Sequence, residues 1–338
     1  MTEIPSTPIM VPDLPLSPDG DMVGSPPPLV DQSPLLPPPE LPFQTIQHTW
    51  IGTDGTEWDL TNPDDGVFLV QENIEGLHHP PMDIVGRQSP MLPGSSFHGY
   101  RITERPVVWP LYVYSDESSM HWVELDRALW ASLKPGREGT WRVTLPNGDT
   151  RQLRMRIQAT PQGFERDPVR FGWHKYAVEA VADINPFWTV PTEIYGTKIT
   201  WRDGAGKDFF NSPTGAPPFH ITESSVESIK SYTSPGDEDV WPTITITGPM
   251  ASVDFRIGEQ EFTVACNLND QTSRFVIVTD PRYFSVTDDR GRNRIRDVTT
   301  WSFEPLPAGV EQEISVTPHG DGGGSVVMDV SPLYYRAW

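Results

Sequence analysis

Apolar positions follow helical spacing over one stretch of the chain and strict alternation over the next, and between residues 118 and 157 they predict a helix followed by a β-hairpin. Trp122, Leu125, Leu129 and Leu133 share one helical face, with Trp130 beside Leu129, while Glu124, Asp126 and Arg127 take the other. Ser118 or Ser119 suits the N-cap, where a side-chain oxygen accepts an otherwise unpaired backbone N–H. Pro135-Gly136 stops the helix, because proline has no N–H and glycine takes the left-handed exit. Trp141, Val143 and Leu145 then alternate with Arg142 and Thr144, and Leu153, Met155 and Ile157 alternate with Arg154 and Arg156. Asn147-Gly148 between these runs predicts a type I′ turn, with positive φ at both residues.

The same pattern makes the whole chain mainly β, in three parts. Residues 44–190 read as a first globular domain, with strands near 49–52, 58–60, 67–70, 99–103, 107–114 and 175–181 around that helix and hairpin. Residues 78–99 read as a loop, punctuated by Pro80-Pro81, Pro90 and Pro93. Residues 191–338 carry short strands near 198–201, 240–247, 253–257, 262–266, 275–278, 314–317 and 326–330, a spacing that predicts a β-sandwich. Strands and helices do not alternate, so a doubly wound sheet is excluded. Residues 1–43 stand apart as a proline-rich extended arm. Apolar residues recur along it, among them Ile4, Ile9, Leu14, Leu29, Leu35 and Leu41, and in polyproline II form it would reach about 130 Å. An arm without a hydrogen-bond ladder of its own is expected to lie across a neighbouring subunit.

Charge and composition narrow the function. The net charge is −21, and the first Lys or Arg is Arg87, so no basic footprint for nucleic acid is present and no positive n-region of a signal peptide is expected. No run of eighteen apolar residues predicts membrane insertion, and the chain is expected to be made in a cytoplasm and to stay soluble. The single cysteine, Cys266, lies in an alternating run and reads as a buried structural thiol. His78-His79 lacks a third ligand, and the turns 237–239 and 288–289 lack the ligand pattern of a calcium loop. Residues 320–325 lack the Lys of a phosphate loop, and no nucleophile elbow occurs. No catalytic, cofactor or metal site is predicted, and the chain is not expected to be an enzyme.

Three blocks of residues, taken in order, resemble the distal tail proteins of long non-contractile-tailed bacteriophages, in particular the minor tail proteins of phages of actinobacteria. The first is Trp58-Asp59-Leu60, Gly66-Val67-Phe68-Leu69 and Glu75-Gly76-Leu77-His78-His79-Pro80-Pro81. The second runs from residues 101–107 through the helix ending Leu129-Trp130, Pro135-Gly136 and the hairpin to Pro186-Phe187-Trp188. The third is Gly236-Asp237 followed by Pro242-Thr243-Ile244-Thr245-Ile246-Thr247-Gly248, with Ser234-Pro235 where the family has Asn. The resemblance covers residues 49–338. It implies a tail-tube-like ring domain and a galectin-like sandwich. It further implies a hexameric ring in the virion tail tip, assembled in the host cytoplasm, that joins the tail tube protein to hub, tip and tape measure proteins and lets genomic DNA through. Arm residues Ile4, Ile9, Leu14, Leu29, Leu35 and Leu41, with Trp141, Val143, Asn147, Gly148, Leu153 and Met155 of the hairpin, are the expected contacts between copies. The alternative reading is a carbohydrate-binding protein that holds a host-surface glycan on Trp201, Trp241, Trp301 or Trp338.

Overall fold

The computed structural model describes residues 44–88, 93–159, 163–164, 166–191, 197–202, 228–270, 272–300, 303–319 and 324–338, with the backbone alone at 197–202 and 228–229. The arm, with Ile4, Ile9, Leu14, Leu29, Leu35 and Leu41, lies outside these residues. In chain order the first elements are β1 (Gln47–Ile51), β2 (Glu57–Asp59), β3 (Val67–Leu69), β4 (Met82–Gln88), β5 (Ser95–Ile102) and β6 (Arg105–Tyr114). Next come α1 (Ser119–Ser132), β7 (Gly139–Thr144), β8 (Thr150–Ala159), α2 (Pro168–Phe171), β9 (Trp173–Ala182) and β10 (Trp188–Thr189). They are followed by β11 (Thr197–Arg202), β12 (Ser228–Thr233), β13 (Thr243–Thr247), β14 (Ser252–Ile257) and β15 (Gln260–Val264). The last are β16 (Arg274–Val278), β17 (Ser285–Asp288), β18 (Glu311–His319), β19 (Ser325–Val330) and β20 (Leu333–Tyr334).

The first sheet runs β2-β1-β7-β8-β9-β6-β3, with neighbours antiparallel. Its two edges approach each other where the Leu69 N–H donates to the Leu60 carbonyl at 2.8 Å, so the sheet nearly closes into a barrel. Alternation sends Val107, Trp109, Leu111 and Val113 of β6, Trp141 and Val143 of β7, and Leu153, Met155 and Ile157 of β8 inward. Trp50, Trp109, Trp141 and Trp188 form a continuous row there, with ring centroids 5.1–5.3 Å apart in edge or tilted contacts. Helix α1 is capped by Ser118, whose side chain accepts the His121 N–H, and it buries Trp122 and Leu129 against the same core.

His48 stacks on Trp141 at 5.7 Å, and its Nδ1 is buried without a partner. Burial lowers its pKa from 6.5 to about 4. Between those two values the unfolded chain binds a proton that the folded chain refuses. The contribution of His48 to stability is therefore full above pH 6.5 and is lost as the pH drops toward 4. We expect a loss of about 1–2 kcal/mol between pH 7 and pH 5 that His48→Phe abolishes, read from urea melts at the two pH values.

The hairpin turn differs from the expected type I′. Gly148 has a φ of 90°, whereas Asn147 is absent from the residues with positive φ. The Gly148 N–H donates to the Leu145 carbonyl at 2.9 Å, and the Leu145 N–H to the Asp149 carbonyl at 2.8 Å. Pro146 explains the change: its ring locks a negative φ at the first turn position, giving a three-residue loop in which only the last residue is left-handed. The Asn147 side chain instead accepts the Asp149 N–H at 3.0 Å. Gly148→Val should therefore lower stability by about 1–2 kcal/mol, and Asn147→Val by less than half of that, checked by thermal melts of the two variants.

Two further sheets, β11-β19-β13-β16-β17 and β12-β18-β14-β15, enclose a second core. Ile244, Ile246, Phe275, Ile277 and Met328 from the first meet Val253, Phe255, Phe262, Ile314 and Val316 from the second. Cys266 is fully buried in this core, and burial pushes its thiol up, as befits an inert structural cysteine. The chain then returns to the first sheet: β20 pairs with β10, and Tyr334, Ala337 and Trp338 join the tryptophan-lined core. Gly236 permits this return, because a Cβ there would stand 2.7 Å from the Leu333 carbonyl oxygen. Asp237 accepts the Tyr335 N–H at 2.9 Å, which gives the Gly-Asp pair a structural purpose.

Residues 78–99 are a loop only in part. Strands β4 and β5 pair with each other in a two-stranded sheet of their own. The sequence marks only the end of β5, near 99–102, because the ribbon is exposed on both faces and no buried side imposes an alternation.

Candidate assembly surface

Cross-strand partners share a face, and the register of the ribbon sorts its side chains. Met82 lies opposite Ile102, and Ile84 opposite Tyr100. A bulge after Val85 places Phe97 opposite Gly86, and so on the face of Ile84 and Tyr100. The reverse face carries Asp83 and Arg101, whose ion pair at 2.9 Å is solvent-exposed and adds little stability. Ile84 is 72% and Phe97 68% exposed, and Met82 and Tyr100 on the same face are also open to solvent, while Val85 is exposed on the reverse face. The ribbon is thus amphipathic, with its apolar side turned to water.

Its root is held by a buried cation. Arg105 begins β6 in phase with Val107, Trp109, Leu111 and Val113 and is 1% exposed. Its Nε donates to the Pro186 carbonyl at 2.6 Å and its Nη2 to the Tyr335 carbonyl at 2.8 Å. Nη1 donates to the carbonyls of Gly76, at 2.8 Å, and His78. Burial lowers its pKa to about 10, which leaves it charged at neutral pH, with four carbonyl dipoles as its counter-charge. One side chain thereby ties the loop before the ribbon to β6, to residue 186 and to the C-terminal segment.

A second apolar surface lies on the outer side of β9. Phe171, Trp173 and Ala177 line a groove of about 740 Å³ with Arg166, Lys175 and Glu179 beside them. Trp173 stacks on Tyr112 at 5.6 Å, and Phe164 and Val169 are exposed nearby.

The residues expected to meet neighbours divide sharply. Trp141, Val143, Leu153 and Met155 are 0% exposed and belong to the barrel core of their own chain, so they present nothing to a second copy. Alternation reported a buried face but not what covers it. Asn147 and Gly148 sit exposed at the hairpin tip. Of the tryptophans considered for glycan, Trp338 packs on the first core and meets His78 at 5.2 Å, and Trp241 lines a cleft beside the second core. Trp301 and the Trp201 side chain lie outside the described residues.

The acidic turns have partners. Glu238 accepts the Tyr335 hydroxyl, Asp239 accepts the Ala308 N–H at 2.9 Å, and Asp288 binds Arg292. Among the described residues no group of three or more His, Cys, Asp or Glu gathers as a metal set, and no helix is long and apolar enough to cross a membrane.

No family model matches the chain. Minor tail protein Gp27 of Mycobacterium phage D29 is 24% identical over 257 residues, covering 72% of this chain and 73% of that protein. Minor tail protein Gp27 of Mycobacterium phage L5 is 23% identical over 216 residues, covering 60% and 61%. Among solved structures, the Dit protein (gp 19.1) of phage SPP1, described as a paradigm of the hub adsorption apparatus in phages infecting Gram-positive hosts, superposes with a TM-score of 0.55. The match covers 85% of this chain and 99% of that one at 11% identity. The chain is therefore similar in sequence to phage minor tail proteins and has the fold of a phage distal tail protein, the group its motifs resemble.

Proposed function

We propose that the chain is a structural adaptor of a phage tail tip. Six copies form a ring that joins the tail tube protein to hub, tip and tape measure proteins and leaves a channel for genomic DNA. In this reading residues 44–190, with the returning segment 333–338 that packs on their core, build the ring, the two sheets of the second core project as a docking platform, and residues 1–43 reach across a neighbour.

The observation that carries the proposal is the amphipathic ribbon of β4 and β5. A lone two-stranded hairpin is marginal in water, and this one also exposes its apolar face. It needs a surface to lie on, and the groove beside Trp173 on the next copy is that surface. Ribbon and groove are different parts of one chain, so their contact is head-to-tail, and head-to-tail contacts close into rings when the rotation permits. Asn147 and Gly148 at the hairpin tip are further contacts. The net charge of −21 suits a conduit, because a wall without clustered cations does not hold passing phosphates. The role requires no catalysis.

Gold-labelled antibody against the chain should decorate virions at the tail end far from the head. Label spread along the tube, or confined to the head, would overturn the reading.

A further inference from the structure

The cleft that holds Trp241 is unrelated to the ribbon and groove, and its chemistry suggests a ligand. It measures about 330 Å³, at the small end of the roughly 300–1,000 Å³ typical of small-molecule sites. Trp241 forms an aromatic wall, partly buried against the sandwich core. Around it stand Asn185, Thr243, Asp329 and Ser331. Asp329 faces Thr243 across the β13–β19 ladder, and its Oδ1 is buried without a hydrogen-bond partner. A buried carboxylate oxygen left unpaired is costly, and a ligand hydroxyl relieves it. Asn185 uses its Oδ1 to accept the Phe187 N–H at 3.1 Å, and among the described residues its amide donors are left for a ligand.

The nearby cation is already engaged. Arg282 donates to both oxygens of Asp280 and to the Ile184 carbonyl at 3.1 Å. Among the described residues the free charge in the cleft is thus the Asp329 carboxylate, which repels anions. The hydroxyls and the amide offer donors and acceptors together, which neither a purely apolar ligand nor a simple cation can use. An indole takes the C–H face of a sugar ring, while hydroxyls at the ring edge reach such polar groups. The geometry points to a binding site for a neutral saccharide in this cleft, with Trp241 as its platform and Asp329 as its hydroxyl acceptor.

The test is saturation-transfer NMR on the full chain with methyl glycosides of common hexoses and pentoses and with the matching oligosaccharides. At least one sugar should receive saturation at its ring C–H protons. Trp241→Ala and Asp329→Asn should each weaken that sugar by about tenfold or more with unchanged melting temperature and native mass. Should Trp241→Ala fail to fold, Ser331→Met, which fills the cleft from its rim, should abolish binding instead. Tighter binding of oligosaccharides than of single rings identifies a surface polymer as the source, and equal binding identifies a free sugar. No transfer to any sugar at about 10 mM, or binding that survives both Trp241→Ala and Ser331→Met, overturns the site. Either result leaves the ring proposal untouched, because ribbon and groove share no residue with the cleft.

Discussion

Replacing Ile84 and Phe97 together by Asp leaves the chain folded and as stable as before, but unable to assemble. Both side chains are more than two-thirds exposed in the single chain, at 72% and 68%, so the folded monomer loses almost no packing. In an assembled ring the same positions lie against Phe171, Trp173 and Ala177, and each new carboxylate must shed its water there, with Arg166 and Lys175 beside the groove offsetting only part of the loss. Burying a charge costs several kcal/mol even after relaxation, so the two together should weaken assembly by about a hundredfold or more. The reverse face supplies the control. Asp83→Asn with Arg101→Gln removes an exposed ion pair and should change assembly by less than about threefold. Trp173→Asp, on the groove side, should reproduce the loss, and mixing it with the ribbon variant should yield no ring, though head-to-tail dimers can still form through the one intact pairing. Native mass and melting temperature measured on the same samples separate failed assembly from failed folding.

Arg105→Met gives the largest loss of stability. The substitution keeps most of the volume but removes every donor to the carbonyls of Gly76, His78, Pro186 and Tyr335. The bond to Pro186 is buried and the other three are part-buried, and hydrogen bonds to a charged group contribute about 1.5–3 kcal/mol each before compensation. Relief of the guanidinium's own desolvation offsets part of this, leaving a loss of about 3–5 kcal/mol, or roughly 10 °C in melting temperature. The loss is also local. Amides of the C-terminal segment, beginning with the Ala337 N–H that donates to the Leu77 carbonyl at 2.9 Å, should exchange with solvent much faster than those of β14 or β16. Arg105→Lys should recover little, because one ammonium cannot reach carbonyls on three sides.

Elements with a long buried face were legible in the sequence, and elements without one were not. Helix α1, with its Ser118 cap, and the β7–β8 hairpin could be read because one side of each is covered along its whole length. Of the β4–β5 ribbon only the end of β5 near 99–102 could, since the ribbon is exposed on both sides and its covering surface is proposed to come from another chain. Trp141, Val143, Leu153 and Met155 show the converse limit: alternation marks a buried face without saying whether the chain or its neighbour buries it. The two-residue strands β10 and β20 are too short to show any period, and their pairing depends on the close approach at Gly236. Pro146 held the signal that the turn would not be type I′. Arg105 held one as well: a charged residue in phase with Val107, Trp109, Leu111 and Val113 is a buried charge in need of acceptors.

The central claim is that this chain closes on itself through a head-to-tail contact. Native mass at micromolar concentration, read together with negative-stain images, tests it most directly. The account predicts annular particles of six 37.9 kDa chains, about 227 kDa, with an open centre. A single 37.9 kDa species with no annular particles would contradict it.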